Sequence, residues 1–374
     1  VQCIIIHTDT NVHEPNTECF SVGTETGFRI FNVSPFKKTC HHDFDESEGS
    51  GGGGVAIVEM LYRCNLLALV GGGSNPRFPV NKVMIWDDHQ KKCIGEVKLP
   101  RECVGVRMRR DRIIAATNGK IYIFRFSDLE MLDFIETCAN PNGLFAVCPS
   151  SKNMVLCCPG LIRGHVRVEL QLDKSTRRST FIPAHETDLE AMSLNFDGTR
   201  LATASSKGTL IRIFETSRGQ KLRELRRGVD RAIIKSLCFD ADSKYVCCCS
   251  DKGTIHVFNV LKDEEDEKKK KKNRSSKLSF MKGMLPKYFS SEWSFAKFRS
   301  GSSAKCAFAS DGADELVLVT SDGRFQRAAF DSKGKWKTTD YHKIGSAFTD
   351  DEEVLIKEDE DSVVVRDGGK KVDR

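Results

Sequence analysis

The sequence predicts an all-β fold, a seven-bladed β-propeller of WD type, and three observations carry that prediction. A strand–turn–strand unit occurs twice with near-identical punctuation, at DGTRLATASSKGTLIRIF (197–214) and DSKYVCCCSDKGTIHVF (242–258), with Lys207 and Lys252 45 residues apart. Strand-ending residues Phe31, Trp86, Phe124, Leu170, Phe214 and Phe258 recur at intervals of 55, 38, 46, 44 and 44. Heptads are absent and long amphipathic helical patterns are few. A period of 40–45 residues with about four strands per unit is the signature of propeller blades.

The elements follow in order. GTETGFRIF (23–31), KVMIWD (82–87), NGKIYIF (118–124), 165–170 and SDGRFQ (321–326) repeat the template more weakly. In the two strong units a Gly turn joins two short strands, the pattern of a hairpin. Six units plus the segment 296–330 make seven blades. The isoleucine-rich strand at 1–8 is expected to pair with the last blade and close the ring. The propeller should span 1–348, with a flexible glycine-rich insert at 45–54 and a long loop at 261–292. Residues 349–374, strongly acidic and then basic, read as a disordered tail.

Composition bounds the function. The chain of 374 residues is 39% hydrophobic and 29% charged, with a formal net charge of +6. That charge is too mild to imply nucleic acid. The 15 cysteines include no Cys-x-x-Cys pair, and neighbours such as Cys247, Cys248 and Cys249 point to alternate faces of a strand. They read as small core residues in a reducing compartment. No apolar stretch approaches the roughly 18 residues of a membrane span, so membrane contact should be peripheral and cytosolic.

The candidate site lies between the fifth and sixth repeats, at Leu225-Arg226-Arg227-Gly228. Adjacent side chains on an extended segment diverge, so the two guanidinium groups should serve two separate sites. Arginine suits phosphate because its planar fork makes two parallel charge-assisted hydrogen bonds. Gly228 is expected to turn the chain without blocking access. The repeat supplies partners: His185, Ser205, Gly208, Thr209 and Arg212 around Arg226, and Ser250, Gly253, Thr254 and His256 around Arg227. An Arg-Arg pair taken alone is more often a surface ion pair, and His185 also suits the structural His–Ser/Thr network of WD blades. Lys207 and Phe214 stand where that network would place Asp and Trp.

After residue 260 come five acidic residues (263–267) and five lysines (268–272), then a stretch rich in apolar side chains. Leu278, Phe280, Met281, Met284, Leu285, Tyr288 and Phe289 are expected to insert into a membrane beside the lysines. Trp293 and Phe295 are expected to begin a strand.

Enzyme readings are weaker. Cys157–x–x–Gly160–x–x–Arg163 has the spacing of a cysteine phosphatase, but a strand pattern follows where that chemistry needs a helix N-terminus. Cys40, His41, His42 and Asp43 lack a second ligand pair for a metal and read as loop residues. The glycines at 71–73 lack the lysine of a nucleotide loop. No catalytic residue, metal or cofactor is expected.

Leu225-Arg226-Arg227-Gly228, SSKGTLIRIF (205–214), SDKGTIHVF (250–258), LALVGGGSNPRFPVNKVMIWDD (67–88) and PAHE (183–186) together resemble the PROPPIN family, whose animal members are the WIPI proteins, and most of all its shorter branch. The resemblance runs from about Cys19 to Phe330. It implies a propeller that binds phosphatidylinositol 3-phosphate and phosphatidylinositol 3,5-bisphosphate on autophagic and endosomal membranes. It places His185, Ser205, Gly208, Thr209, Arg212 and Arg226 in one site, and Arg227, Ser250, Thr254 and His256 in a second. It also implies a membrane-inserting loop in blade six and a large autophagy lipid-transfer protein as partner, with the chain monomeric and cytoplasmic until recruited. The competing reading is a protein-only scaffold whose arginines bind acidic peptides.

Overall fold

The computed structural model describes residues 3–7, 18–44, 52–150, 152–170, 177–260, 291–309 and 314–344. Among them every regular element is a strand. The strands form seven sheets, spanning 3–43, 55–98, 105–136, 146–183, 189–226, 234–299 and 304–343, antiparallel except that Glu292–Trp293 adds a parallel fifth strand to the sheet of 189–226. First strands of neighbouring blades pack side by side from blade one to blade three and from blade four to blade seven, and that of blade seven meets that of blade one. They therefore ring the axis, while the fourth strands form the rim.

The recurring Phe/Trp/Leu residues all fall on third strands, in Gly27–Asn32, Lys82–Asp87, Lys120–Arg125, His165–Leu170, Leu210–Glu215 and Thr254–Asn259. Their burial explains the repeat. Each blade is apolar on both faces and packs against two neighbours, so its middle strands carry continuous apolar runs. Ile211, Ile213 and Leu225 of blade five join Val246, Cys248 and Phe258 of blade six in one buried cluster. Phe214, on the other face of blade five, packs with Cys157 and Val168 of blade four.

Two expectations about the ring are corrected. Cys3–His7 pairs with Cys19–Gly23 of blade one, not with the last blade. Blade seven supplies all four of its own strands, from Ala304–Phe308 to Trp336–Lys343. Closure comes instead from face-to-face packing of Phe20, Val22 and Phe31 on Val317, Val319 and Phe325. The blade-seven boundary also moves, because Ala296–Arg299 is the rim strand of blade six. A strand with apolar residues on one face satisfies either neighbour locally, and only the register decides.

The insert is described from residue 52 onward. The tail at 349–374 and the residues 278–289 lie outside the described residues.

Candidate phosphate site at the rim of blade five

Arg226 ends the rim strand of blade five, Lys221–Arg226, and Arg227 begins the crossing to blade six. Leu225 is fully buried against blade six. Strand alternation then turns Glu224 and Arg226 to the opposite face, the side of blade four. Arg212 lies on that face too, since its neighbours Ile211 and Ile213 face blade six. The two arginines thus diverge as their adjacency requires, although the chain buries both, with Arg226 9% and Arg227 8% exposed.

On the blade-four side, His185 follows the rim strand Arg178–Pro183. Its Nε2 lies 2.9 Å from the Thr203 hydroxyl. Arg212 donates from Nε to Glu224 at 2.9 Å and from Nη1 to the Ala184 carbonyl at 2.6 Å. The His185 loop is therefore strapped to blade five by two bonds. Burial, and then the nearby Arg212 cation, push the His185 pKa down to about 4. The His–Thr half of a structural WD network is present, so His185 holds blade five whatever else it does. Ser205 closes its strand and is buried.

On the blade-six side, the Arg227 Nε donates to the Gly208 carbonyl at 2.9 Å, and its Nη2 donates to the Asp230 carbonyl. The Arg227 amide donates to the Thr209 carbonyl at 2.9 Å. Arg227 therefore grips the hairpin turn of blade five while its charge reaches blade six, where it helps depress His256. His256 is buried, with Nδ1 3.1 Å from the Ser294 hydroxyl. Burial first, then Lys297 and Arg227, push its pKa down to about 3. Ser250 is fully buried, and its hydroxyl has no hydrogen-bond partner among the described residues.

The turns explain the shared Lys-Gly-Thr. Gly208 has φ 62° and Gly253 φ 63°, a left-handed conformation that favours glycine. A Cβ on Gly208 would stand 1.7 Å from the Ala232 carbonyl oxygen. Gly228 differs from expectation: its φ is not left-handed and a Cβ there would meet nothing within 4 Å. The turn does not require glycine at 228, since a Cβ there would clash with nothing.

Several neighbours were not legible in the sequence. Lys297 pairs with His256 in register and Arg299 pairs with Thr254, so two exposed cations rim the blade-six side. At the equivalent place on the blade-four side Arg212 is paired with Glu224. The chain returning at Ser291 does not go straight to blade six. Glu292 and Trp293 first lie parallel to blade five's rim, with Trp293 in register with Arg226. Ser291 donates to Glu224 at 3.2 Å, and Arg223 pairs with Glu292 at 2.8 Å. Phe295 packs into the core between blades six and seven. The chain leaves the described fold after Val260, which follows the third strand of blade six in the core against blade five, and re-enters it at Ser291 on the rim of blade five.

The rejected enzyme motif has no reactive geometry. Cys157 lies in the strand Val155–Pro159, fully buried, and burial pushes its thiol well above the usual range. Arg163 is exposed and paired with Asp188 at 2.7 Å. Cys40, His41, His42 and Asp43 form a rim strand rather than a loop, with His42 against Trp86 and Asp43 against Arg29.

Comparison with known proteins agrees with this architecture. The family model described as PROPPIN matches residues 11–299. Autophagy-related protein 18e of Arabidopsis thaliana is 38% identical over 315 residues, covering 83% of this chain and 80% of that protein. SVP1-like protein 2 of Neurospora crassa is 38% identical over 248 residues, covering 66% of this chain and 54% of that protein. Among solved structures, Kluyveromyces lactis Hsv2 with complete loop 6CD superposes with TM-score 0.67 at 27% identity, over 87% of this chain and 95% of that one.

Proposed function

Because the chain belongs to the PROPPIN family, we propose that it is a phosphoinositide effector of autophagy that docks by its rim to membranes, with one head group held on each side of blade five. His185, Ser205, Gly208, Thr209, Arg212 and Arg226 serve the first head group. Arg227, Ser250, Thr254 and His256 serve the second. The observation that carries this reading is the divergence of the pair: Arg226 faces the His185 side of blade five, and Arg227 reaches His256 on the other.

The chemistry suits phosphate esters. A guanidinium has five N–H donors, so two bonds to backbone carbonyls orient Arg227 without exhausting it. Burial holds both histidine pKa values low, at about 4 and about 3, so each ring is neutral near pH 7 and offers one N–H. No step of this binding breaks a covalent bond. Phosphatidylinositol 3-phosphate and the 3,5-bisphosphate are the lipids of choice, on autophagosome precursors and endosomes. Apolar residues between 278 and 289 enter the same bilayer, since the chain returns from them at Ser291 on this rim. Two weak sites on one rigid body bind a surface with avidity, and the recruited partner is the large autophagy lipid-transfer protein.

Vesicle sedimentation over a full phosphoinositide panel tests the reading. The wild type should pellet with vesicles carrying 3-phosphorylated lipids, and the Arg226→Thr/Arg227→Thr variant should stay in the supernatant. Unchanged pelleting of that double variant sinks the proposal in favour of a protein-only scaffold.

A further inference from the structure

On the face of blade six away from the arginines, three cysteines from three strands converge. Cys238 lies on the axial strand Ile234–Phe239, Cys247 beside it on Tyr245–Ser250, and Cys306 on the axial strand Ala304–Phe308 of blade seven. Their sulfur atoms all lie within 4.8 Å of one another, and Cys247 Sγ is 3.4 Å from Cys306 Sγ. Cys238 and Cys247 are register partners. Cys306 is fixed from across the blade boundary: the Ser236 hydroxyl donates to its carbonyl at 2.9 Å and accepts from its amide at 3.2 Å. Lys305 is anchored alongside, its Nζ donating to the Lys235 carbonyl at 2.8 Å.

We propose that Cys238, Cys247 and Cys306 form a three-sulfur site for a soft monovalent metal ion, Cu(I), stapling blade six to blade seven. The geometry is that of a trigonal site. Sulfurs about 2.3 Å from a central ion stand about 4 Å apart, so small side-chain adjustments close the triangle. The donor set selects the ion: sulfur ligands favour soft metals. Zn(II) requires four ligands in a tetrahedron, and among the described residues no His, Asp, Glu or fourth Cys joins the group. The setting is apolar, with Ile255, Phe308 and Leu318 in the same buried cluster. Such a shell keeps water out of a fourth position. Half-buried Cys238 is the point of entry, while Cys247 and Cys306 are buried. A disulfide accounts for the cluster less well, because it uses two of the sulfurs and leaves the third unexplained. Binding displaces thiol protons, so affinity rises with pH. The site is independent of the lipid reading, since His256 faces the other neighbour of blade six.

The full chain, reduced and stripped of metal, is titrated with Cu(I) in competition with bicinchoninate under argon. One tight equivalent per chain is expected, with a near-ultraviolet sulfur-to-copper absorption and a raised melting temperature. Cys238→Ala, chosen because its side chain is only half-buried, should melt cooperatively yet bind at least about 100-fold more weakly. Cys247→Ala should behave alike, and Cys64→Ser, an exposed cysteine elsewhere, should bind as the wild type. The proposal is overturned by the absence of a tight equivalent, by undiminished Cu(I) binding in Cys238→Ala, or by preferential uptake of Zn(II) when both ions are offered.

Discussion

The Nε of Arg227 donates to the carbonyl of Gly208 at 2.9 Å, tying the second arginine of the pair to the hairpin turn of the blade before it. The residue that reaches toward blade six is thereby also a structural clip on blade five. Loss of Arg227 should cost stability as well as binding. Hydrogen bonds involving a charged group are worth about 1.5–3 kcal/mol each. Arg227→Ala should therefore shift the urea midpoint clearly downward, and Arg227→Lys should recover only part of it, because an ammonium lacks the planar fork. An unchanged midpoint for Arg227→Ala would show that the clip contributes nothing.

Two glycines near the pair should respond oppositely. Gly208→Ala drives a Cβ into the Ala232 carbonyl at a left-handed φ and should destabilise the protein by several kcal/mol or prevent its accumulation. Gly228→Ala, which meets nothing, should leave the melting temperature within a degree or two. If Gly228→Ala nevertheless weakens vesicle binding, glycine there serves head-group access rather than the backbone.

The buried histidines make stability fall in acid. His185 sits at about 4 and His256 at about 3, against an ordinary value of 6.5. Below pH 6.5 the unfolded chain binds protons that the folded one refuses, so stability declines as pH falls from about 6.5 to about 4 and 3 respectively. Asp240 opposes this: burial raises its carboxyl to about 6 from 3.8, so its protonation adds stability as pH falls across that interval. Glu59, whose carboxyl burial also raises, acts with Asp240, whereas Glu224, held low by Arg212 against its own burial, loses stability in acid with the histidines. Denaturant titrations at pH 7.5 and 5 should show the drop, and His256→Gln should reduce it; an equal drop in that variant would remove His256 as the cause.

Lys297 beside His256 should strengthen membrane attraction without holding the fold, being exposed on a rim strand. A basic residue near an anionic surface contributes about 1 kcal/mol. Lys297→Ala should weaken vesicle affinity about 5-fold at low salt, with the difference shrinking in high salt. A salt-independent loss would point to a direct head-group contact instead.

Replacing residues 263–289 by a short Gly-Ser linker should leave the melt unchanged, because Ser291, Glu292 and Trp293 are held on blade five by their own contacts. Vesicle binding should fall while binding to a soluble inositol phosphate persists. Loss of both together would mean that the segment supports the rim itself.

The blades were legible because each third strand from blade one to blade six carries a large apolar residue at or next to its end, packed between blades, which imposes a period that strings of residues display. The divergence of Arg226 and Arg227 was legible for a similarly local reason: adjacent residues on a strand point apart whatever the fold. The partners of those arginines were less so. Thr203 is one hydroxyl among many in a strand, and nothing local marks it as the partner of a histidine 18 residues away.

What the amino-acid order determined by itself is therefore whatever depends on strand alternation and turn chemistry: seven blades, two glycine-bound hairpins, and a pair of cations on opposite faces of one rim. Tertiary structure decided which strand completes which sheet. The first strand joins blade one rather than blade seven, and Glu292–Trp293 lies on blade five before the chain enters blade six. Lys297 meets His256 across a gap of 41 positions, as Cys306 meets Cys247 across 59. Such meetings depend on long-range register, and register is a property of the packed ring that no short window of residues contains.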